Sequence, residues 1–461
     1  MGEQSVGVYG RDAADMMSAA KAPWVFLFAV LATTAAAYAA PPSVVKAIPD
    51  NGDADVDPAL TELRIEFDQE MDETGWSVCG SGPTFPESTG KPHFEEGRVL
   101  VVPVKLQPEH SYSYSINCPS AMNCRNKSGE AAETYPISFS TAKVGAKPAK
   151  NLSKAVNKKS VAELRRLIDE EYSYRDLHKV DWGKRFKEFG PKLTAAATAA
   201  EFARHAAKLL APAKDVHLSL QVGHVPFATY QRRYTPNYKL ALLEKTVPQW
   251  QKRSEFAYTG RFDDGIGYLL ITTWGLAQPS DLEPLYSALG DFADAKGLII
   301  DVRPNAGGNE TLAREFAGCF VAKAAVYSRN KSRDKEAKGG FGKTFKRSVR
   351  PNKDKPAFKA KVAVLMSEGC MSSCESFLLM MRHGAKARLI GAKSYGSSGN
   401  PQAHKLANGV FVFVPSWKDM QPDGTVIEGK GIEPDVTVTP KKGDFKEADP
   451  VLDAALKFLR E

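Results

Sequence analysis

The chain has 461 residues, 43% of them hydrophobic and 25% charged, and a formal net charge of +8. That length exceeds what one core ordinarily supports, and the composition excludes a disordered or membrane-embedded chain. Two or three domains with well-filled cores are expected.

The first forty residues stand apart. Pro23 to Ala37 is apolar and uncharged; it follows Lys21 and runs into Ala37-Tyr38-Ala39 and Ala40-Pro41-Pro42, the pattern of a secretory signal cleaved near Ala39. Glu3, Asp12 and Asp15 are foreign to the basic start of such a signal, so Met16 or Met17 is a candidate start. An uncleaved anchor is the rival reading, although anchors want about 20 apolar residues. Residues 1–40 are thus expected to be a signal peptide, with export to a periplasmic or secreted location and no integral membrane domain after removal. Oxidising surroundings follow from export, and the six cysteines fall into two groups, Cys79, Cys118 and Cys124, then Cys319, Cys370 and Cys374. A disulfide within each group is the expectation, its connectivity open. Cys370 and Cys374 have no second Cys/His pair nearby, so no zinc site and no cofactor are expected.

Residues 42–142 read as β. Alternation runs through Leu63-Arg64-Ile65-Glu66-Phe67, Val99-Leu100-Val101-Val102, Tyr112-Ser113-Tyr114-Ser115-Ile116 and Ile137-Ser138-Phe139-Ser140, between Asp/Gly/Pro/Asn clusters. Ile48-Pro49-Asp50-Asn51-Gly52 with Asp55-Val56, Phe67-Asp68-Gln69-Glu70-Met71-Asp72, Leu106-Gln107-Pro108 with Tyr112, and Phe139-Ser140-Thr141 together resemble the bacterial Ig-like domains. The resemblance implies an all-β Ig-like sandwich acting as a spacer or adhesive module.

Residues 143–159 are rich in Lys, Ala and Asn and read as a linker. A small helical subdomain is expected over 160–225, from Val161/Leu164/Leu167/Ile168 and Phe202/Ala206/Leu209/Leu210, opened by Ser160 and Glu163 at capping-box spacing. From 226 to 445, buried runs alternate with helical patterns: Ile266–Ile271, a helix near Leu282 to Ala293, Gly297–Arg303, Val362–Met366, Phe377–Met381 and Leu389-Ile390-Gly391. This is the pattern of an α/β domain, with Val410–Val414 and Val436-Thr437-Val438 as its closing strands and a C-terminal helix in 446–461.

Between Arg329 and Lys361 thirteen Lys/Arg face only Asp334, Glu336 and Asp354. Such a stretch can attract an acidic substrate or a peptide carboxylate, or be a solvated hairpin. It lacks a nucleic-acid motif, so no nucleic-acid partner is expected.

Chemistry is expected where Val362–Met366 breaks into Ser367-Glu368-Gly369-Cys370-Met371-Ser372-Ser373-Cys374-Glu375. A strand turning through glycine into a helix exposes a nucleophile beside helix-start N–H groups. A serine there can also simply cap the helix. Three further stretches bear on it: Asp215-Val216-His217, Asp301-Val302-Arg303-Pro304-Asn305-Ala306-Gly307-Gly308, and Gly429-Lys430-Gly431-Ile432-Glu433-Pro434-Asp435-Val436. In this order and spacing they resemble the serine peptidase family of C-terminal processing (tail-specific) proteases, the tricorn core and the interphotoreceptor retinoid-binding proteins.

The resemblance implies a multidomain protein whose C-terminal α/β peptidase core is of the processing-protease (ClpP/crotonase-like) type, a serine peptidase acting on a peptide or protein substrate. It implies Ser372 as nucleophile, with Ser373 and Cys374 as conceivable stand-ins. The lysine of the processing proteases is missing; Ser397, in Ser394-Tyr395-Gly396-Ser397-Ser398-Gly399, stands in its place, and Lys393 lies beyond Tyr395-Gly396. A serine hydroxyl needs a base, and the tricorn-like pattern points to His217, with His224, His383 and His404 as competitors. Glu428 is preferred to Glu433 as the acid that orients it. The oxyanion donors would be the N–H of Gly307 or Gly308 and of Ser373, with Asp301 and Arg303 holding the loop. Between His217 and Ile266 there is too little chain for a PDZ domain. A non-catalytic binding or scaffold protein on the same fold is the alternative, motivated by the missing lysine.

Overall fold

The computed structural model describes residues 41–461 apart from 54–55, 119–120, 145–151, 224, 233, 338 and 442. The expected signal, the middle of the expected linker and His224 lie outside the described residues.

In the first hundred described residues the two-residue alternation does what a pleated strand requires. Leu63, Ile65 and Phe67 of strand Glu62–Phe67 point inward, as do Tyr112, Tyr114 and Ile116 of strand Ser111–Ile116. A five-stranded sheet built on Val44–Ile48, Glu62–Phe67 and Val99–Lys105 and a three-stranded one of Val78–Cys79, Ser111–Ile116 and Tyr135–Ser140 enclose one apolar core. Cys79 and Cys118 are joined by a disulfide, whereas Cys124, Cys319, Cys370 and Cys374 are buried free thiols. The expected second disulfide is therefore absent from the structure.

Helices Lys154–Arg166, Trp182–Ala195 and Ala199–Leu210 follow. The first begins earlier than its sequence pattern suggests, because Ser153 caps it by accepting from the N–H of Val156 (3.2 Å). Ser160 instead lies mid-helix, buried, with its hydroxyl accepting from the N–H of Asn408 (3.0 Å). These helices pack on a four-stranded sheet in which Ser219–Val222 pairs with Phe411–Pro415. The strand at Val410–Val414, expected to close the α/β layer, thus closes the helical core: periodicity reports which face is buried, not which strand is the neighbour.

The largest sheet has seven strands in the order Gln251–Lys252, Ala257–Arg261, Ile266–Ile271, Gly297–Asp301, Lys361–Met366, Arg388–Gly391 and Val436–Thr437. From Ile266–Ile271 onward all neighbours are parallel. Both faces are covered. Leu298, Ile300 and Val364 meet helices Glu283–Asp291, Glu310–Ala317 and Ser373–Met380, while Ile299, Ala363 and Leu365 meet the C-terminal helix Pro450–Arg460. Double coverage explains why these strands read as unbroken apolar runs. Beside this layer, strands Phe345–Val349, Ala325–Ser332 and Trp417–Met420 form a three-stranded sheet that carries much of the basic stretch. The whole is a multi-sheet, mixed α/β fold. Among the described residues no helix is long and apolar enough to cross a membrane.

Candidate active site

Strands Gly297–Asp301 and Lys361–Met366 are adjacent and parallel, with Asp301 opposite Leu365. The chain leaving each carboxyl end therefore emerges at the same edge, where open α/β sheets bind ligands. One continuation carries Gly307 and Gly308, the other Ser372. A Cβ on Gly307 would stand 2.8 Å from Ser372 Cβ and 2.7 Å from the carbonyl oxygen of Met371, and its φ of +101° is one that side chains avoid. Only glycine lets the two turns touch.

Ser372 adopts φ 56° and ψ −127° immediately before helix Ser373–Met380. A non-glycine residue there carries strain of about 1–3 kcal/mol, which the surroundings must offset. They do so with two acceptors for its N–H, the carbonyl of Ser397 at 2.8 Å and Oε2 of Glu375 at 3.2 Å. Glu375 is fully buried and also receives Ser394 Oγ (2.5 Å), Gly396 N–H (2.9 Å) and Ser397 N–H (3.0 Å). Burial pushes its carboxyl up to about 7, against the pull of these donors. Ser372 and Glu375 stand at capping-box positions at the start of this helix, and the Ser372 hydroxyl reaches a further partner.

That partner is His217, whose Nε2 lies 3.1 Å from Ser372 Oγ across 155 residues of sequence. The other ring nitrogen, Nδ1, lies 2.7 Å from Ser397 Oγ. Ser397 thus touches both residues, through its hydroxyl and its carbonyl. Burial lowers the imidazole to about 4, so the ring is neutral near pH 7 and has a lone pair to offer.

The expectation gave Nδ1 a carboxylate partner, and the hydrogen bond is to Ser397 instead. Glu428 is buried and accepts from the N–H of Ser398 (2.8 Å), one residue on. It still belongs to the surroundings of the ring: ligand atoms of Asp215, His217 and Glu428 all lie within 4.8 Å of one another. Asp215 accepts from the N–H of His217 (2.8 Å) and from Tyr172 Oη (3.0 Å). Burial raises the carboxyls of both Asp215 and Glu428, and the nearby Asp215 carboxylate raises that of Glu428 further. Glu433 is elsewhere, with Oε1 2.8 Å from Nζ of Lys393.

Of the expected oxyanion donors, Gly307 is already committed: its N–H donates to Asn305 Oδ1 at 2.9 Å. Among the described residues, the N–H groups of Gly308 and Ser373 donate to no protein acceptor. These two are tied together by Ser373 Oγ, which donates to the carbonyl of Gly308 at 2.6 Å. The loop before them is held by fully buried Arg303, which pairs with Asp301 (2.6 Å) and Asp449 (2.8 Å) and donates to the carbonyl of Asn237 (2.7 Å). Cys374, a conceivable stand-in, is fully buried, its Sγ 3.9 Å from the carbonyl of Val302. His404 pairs with Glu171 at 3.4 Å, and His383 lies on the segment Met381–Ala385 after the helix.

Sequence reasoning noticed Ser397 only as a missing lysine and treated Asp215 and Glu375 as landmarks. No local spacing signals a contact that closes over 180 residues, as Ser397 and His217 do.

Residues 265–438 match peptidase family S41, and residues 162–211 match the tricorn protease C1 domain. The chain carries a peptidase family S41 domain. It is 34% identical over 146 residues to a probable CtpA-like serine protease of Staphylococcus epidermidis, covering 31% of this chain and 28% of that one. A probable CtpA-like serine protease of Staphylococcus aureus is 32% identical over 148 residues, covering 32% and 28%. The chain therefore spans less than a third of the length of the curated relatives it matches. A solved structure of a candidate peptidase from Parabacteroides merdae superposes with a TM-score of 0.58 at 22% identity, covering 68% of this chain and 98% of that one. That likeness is one of fold.

Proposed function

We propose that the protein is an exported serine peptidase that cleaves peptide bonds through an acyl-enzyme on Ser372. The observation that carries this is the 3.1 Å approach of His217 Nε2 to Ser372 Oγ, at a strained residue on the strand-to-helix turn. In the acylation step Ser372 Oγ bonds to the peptide carbonyl carbon while its proton passes to His217 Nε2. The C–N bond then breaks and the same proton goes to the leaving amine. Water repeats the sequence on the acyl ester, His217 taking one of its protons and returning it to Ser372, so that peptide and water become a carboxylic acid and an amine.

Ser397 holds the imidazole by accepting from Nδ1–H, which leaves Nε2 as the base. Glu428 and Asp215 serve behind it, as buried acids that set the field around the ring. The N–H groups of Gly308 and Ser373 receive the oxyanion. The site is of the Ser-His kind, not the Ser-Lys kind, with Ser397 where the lysine would stand.

The Cys79–Cys118 disulfide supports export to an oxidising compartment. Two facing sheets around one core support reading residues 42–142 as an Ig-like spacer, followed by a helical subdomain and the α/β peptidase core. Treatment with a fluorophosphonate followed by intact mass measurement tests the assignment. One adduct is expected on the wild type and none on Ser372→Ala; an unlabelled wild type, or equal labelling of the variant, sinks it.

A further inference from the structure

The basic stretch between Arg329 and Lys361 is mostly solvated: Lys335, Lys343, Lys346, Arg350 and Lys353 are exposed. Arg333 turns inward to Asp176 and the carbonyl of Tyr172, and Arg347 turns toward the Ser372 site. Arg347, on strand Phe345–Val349, has a side chain only 10% exposed, stacked between the rings of Trp417 (4.8 Å) and Tyr327 (5.5 Å).

Its guanidinium bridges two carboxylates, Glu310 and Asp419, and donates to Ser328 Oγ at 2.7 Å. Each carboxylate reaches a different part of the Ser372 site. Glu310 opens the helix that follows Gly307-Gly308-Asn309, and its Oε2 accepts from Ser376 Oγ (3.2 Å) on helix Ser373–Met380. Asp419, 1% exposed, accepts from Ser398 Oγ at 2.6 Å, next to the Ser397 hydroxyl that meets His217. One cation therefore joins the oxyanion loop, the nucleophile helix and the turn that orients the base.

We propose that Arg347 is a positioning residue of the peptidase site, holding these three elements in the register that catalysis requires. The inference rests on the Ser372 reading. The planar fork of arginine suits the task, because one rigid group satisfies two carboxylates in fixed directions where a lysine offers a point charge. Without it, two largely buried carboxylates repel, and the Gly308 loop and the Ser397–Ser398 turn move apart. A misplacement of about 1 Å can reduce rate by roughly 100-fold. The hairpin bearing Arg347 is then part of the working site, while Lys335, Lys343 and Lys346 face solvent.

Saturation kinetics of fluorophosphonate labelling on the full chain, read by intact mass, separate binding of the probe (KI) from reaction of Ser372 (kinact). Arg347→Gln is expected to lower kinact by about 100-fold with KI within about 2-fold, and Arg347→Lys to restore part of the loss. A folded Arg347→Gln protein that loses only thermal stability while its kinact equals that of the wild type overturns the proposal and leaves the Ser372 reading standing. An unlabelled wild type overturns the Ser372 reading, and this one with it. Should Arg347→Gln not fold, Ser398→Ala cuts the tie between Asp419 and the turn without stranding a charge. A fall of about 10-fold or more in its kinact supports the proposal, and an unchanged kinact refutes it.

Discussion

Residues 42–142 and the rest of the described chain bury polar side chains in different ways. Among the described residues of the first region the buried polar ones are Ser77, Asn117, Asn126 and Thr141, all neutral. Elsewhere they include Asp215, Asp301, Arg303, Glu375, Asp419, Glu428 and Asp449. A neutral amide such as Asn117 needs only hydrogen bonds, and it has them: its Nδ2 donates to the carbonyls of Cys124 and Ala132 and its Oδ1 accepts from Cys124 N–H. A buried charge costs far more and stabilises little in return, so its concentration around one sheet edge marks the region shaped by chemistry. The β unit is built to stand; the α/β layer is built around a site.

Four substitutions or conditions test that contrast. His217→Ala has the largest expected effect, a loss on the order of 10⁴-fold or more in the rate of fluorophosphonate labelling of Ser372, with far-ultraviolet circular dichroism unchanged. Arg303→Met follows: it leaves Asp301 and Asp449 buried without their cation and is expected to cost about 3–5 kcal/mol by urea unfolding. Ile65→Ala in the β core should cost about 2–5 kcal/mol through its cavity and leave the labelling of the folded protein as it was. If Ile65→Ala slows labelling as much as it lowers stability, the two regions are not functionally distinct.

The pH dependence is the subtlest measurement. Burial holds folded His217 near 4 against an ordinary 6.5, so between these values the unfolded chain binds a proton that the folded chain refuses. Stability from this residue is present above pH 6.5 and is lost as pH falls toward 4, by up to roughly 3 kcal/mol. Glu375 works in the opposite sense: with its carboxyl raised from 4.5 to about 7, its contribution is present below pH 4.5 and lost as pH climbs through 7. The difference between wild type and His217→Gln isolates the first slope, and a difference that is flat from pH 4 to 6.5 would contradict a neutral buried imidazole. The same assignment expects the acid limb of kcat/KM near pH 4 and not near 6.5.

Much of this was legible from residue order. The alternation of Leu63, Ile65 and Phe67 reveals a half-buried strand because side chains on a pleat repeat every two residues. The glycines at 307 and 308 and the serine at 372 are readable because a tight approach and an exposed hydroxyl need those residue types at a strand end. What escaped was whatever depends on a distant neighbour. Ser153 outcompetes Ser160 as a cap because the helix extends about two turns further than its apolar stripe, which the exposed Lys154, Ala155, Lys158 and Lys159 do not announce. Phe411–Pro415 joins the sheet of Ser219–Val222, a pairing settled by the path of the whole chain. Ser397 looks like a lost lysine until His217 is seen against it. Arg347 is one basic residue among thirteen until its strand sets which side it faces.

The separations within the site have a consequence in time. Ser372 meets a histidine 155 residues earlier, and that histidine meets a serine 180 residues later, whose neighbour contacts Glu428. A chain still being synthesised from its N-terminus has the histidine before the serine, and both of them before the serine that anchors the ring. On the proposed Ser372–His217 assignment, hydrolytic competence waits until the turn bearing Ser397 has been made and folded back against His217.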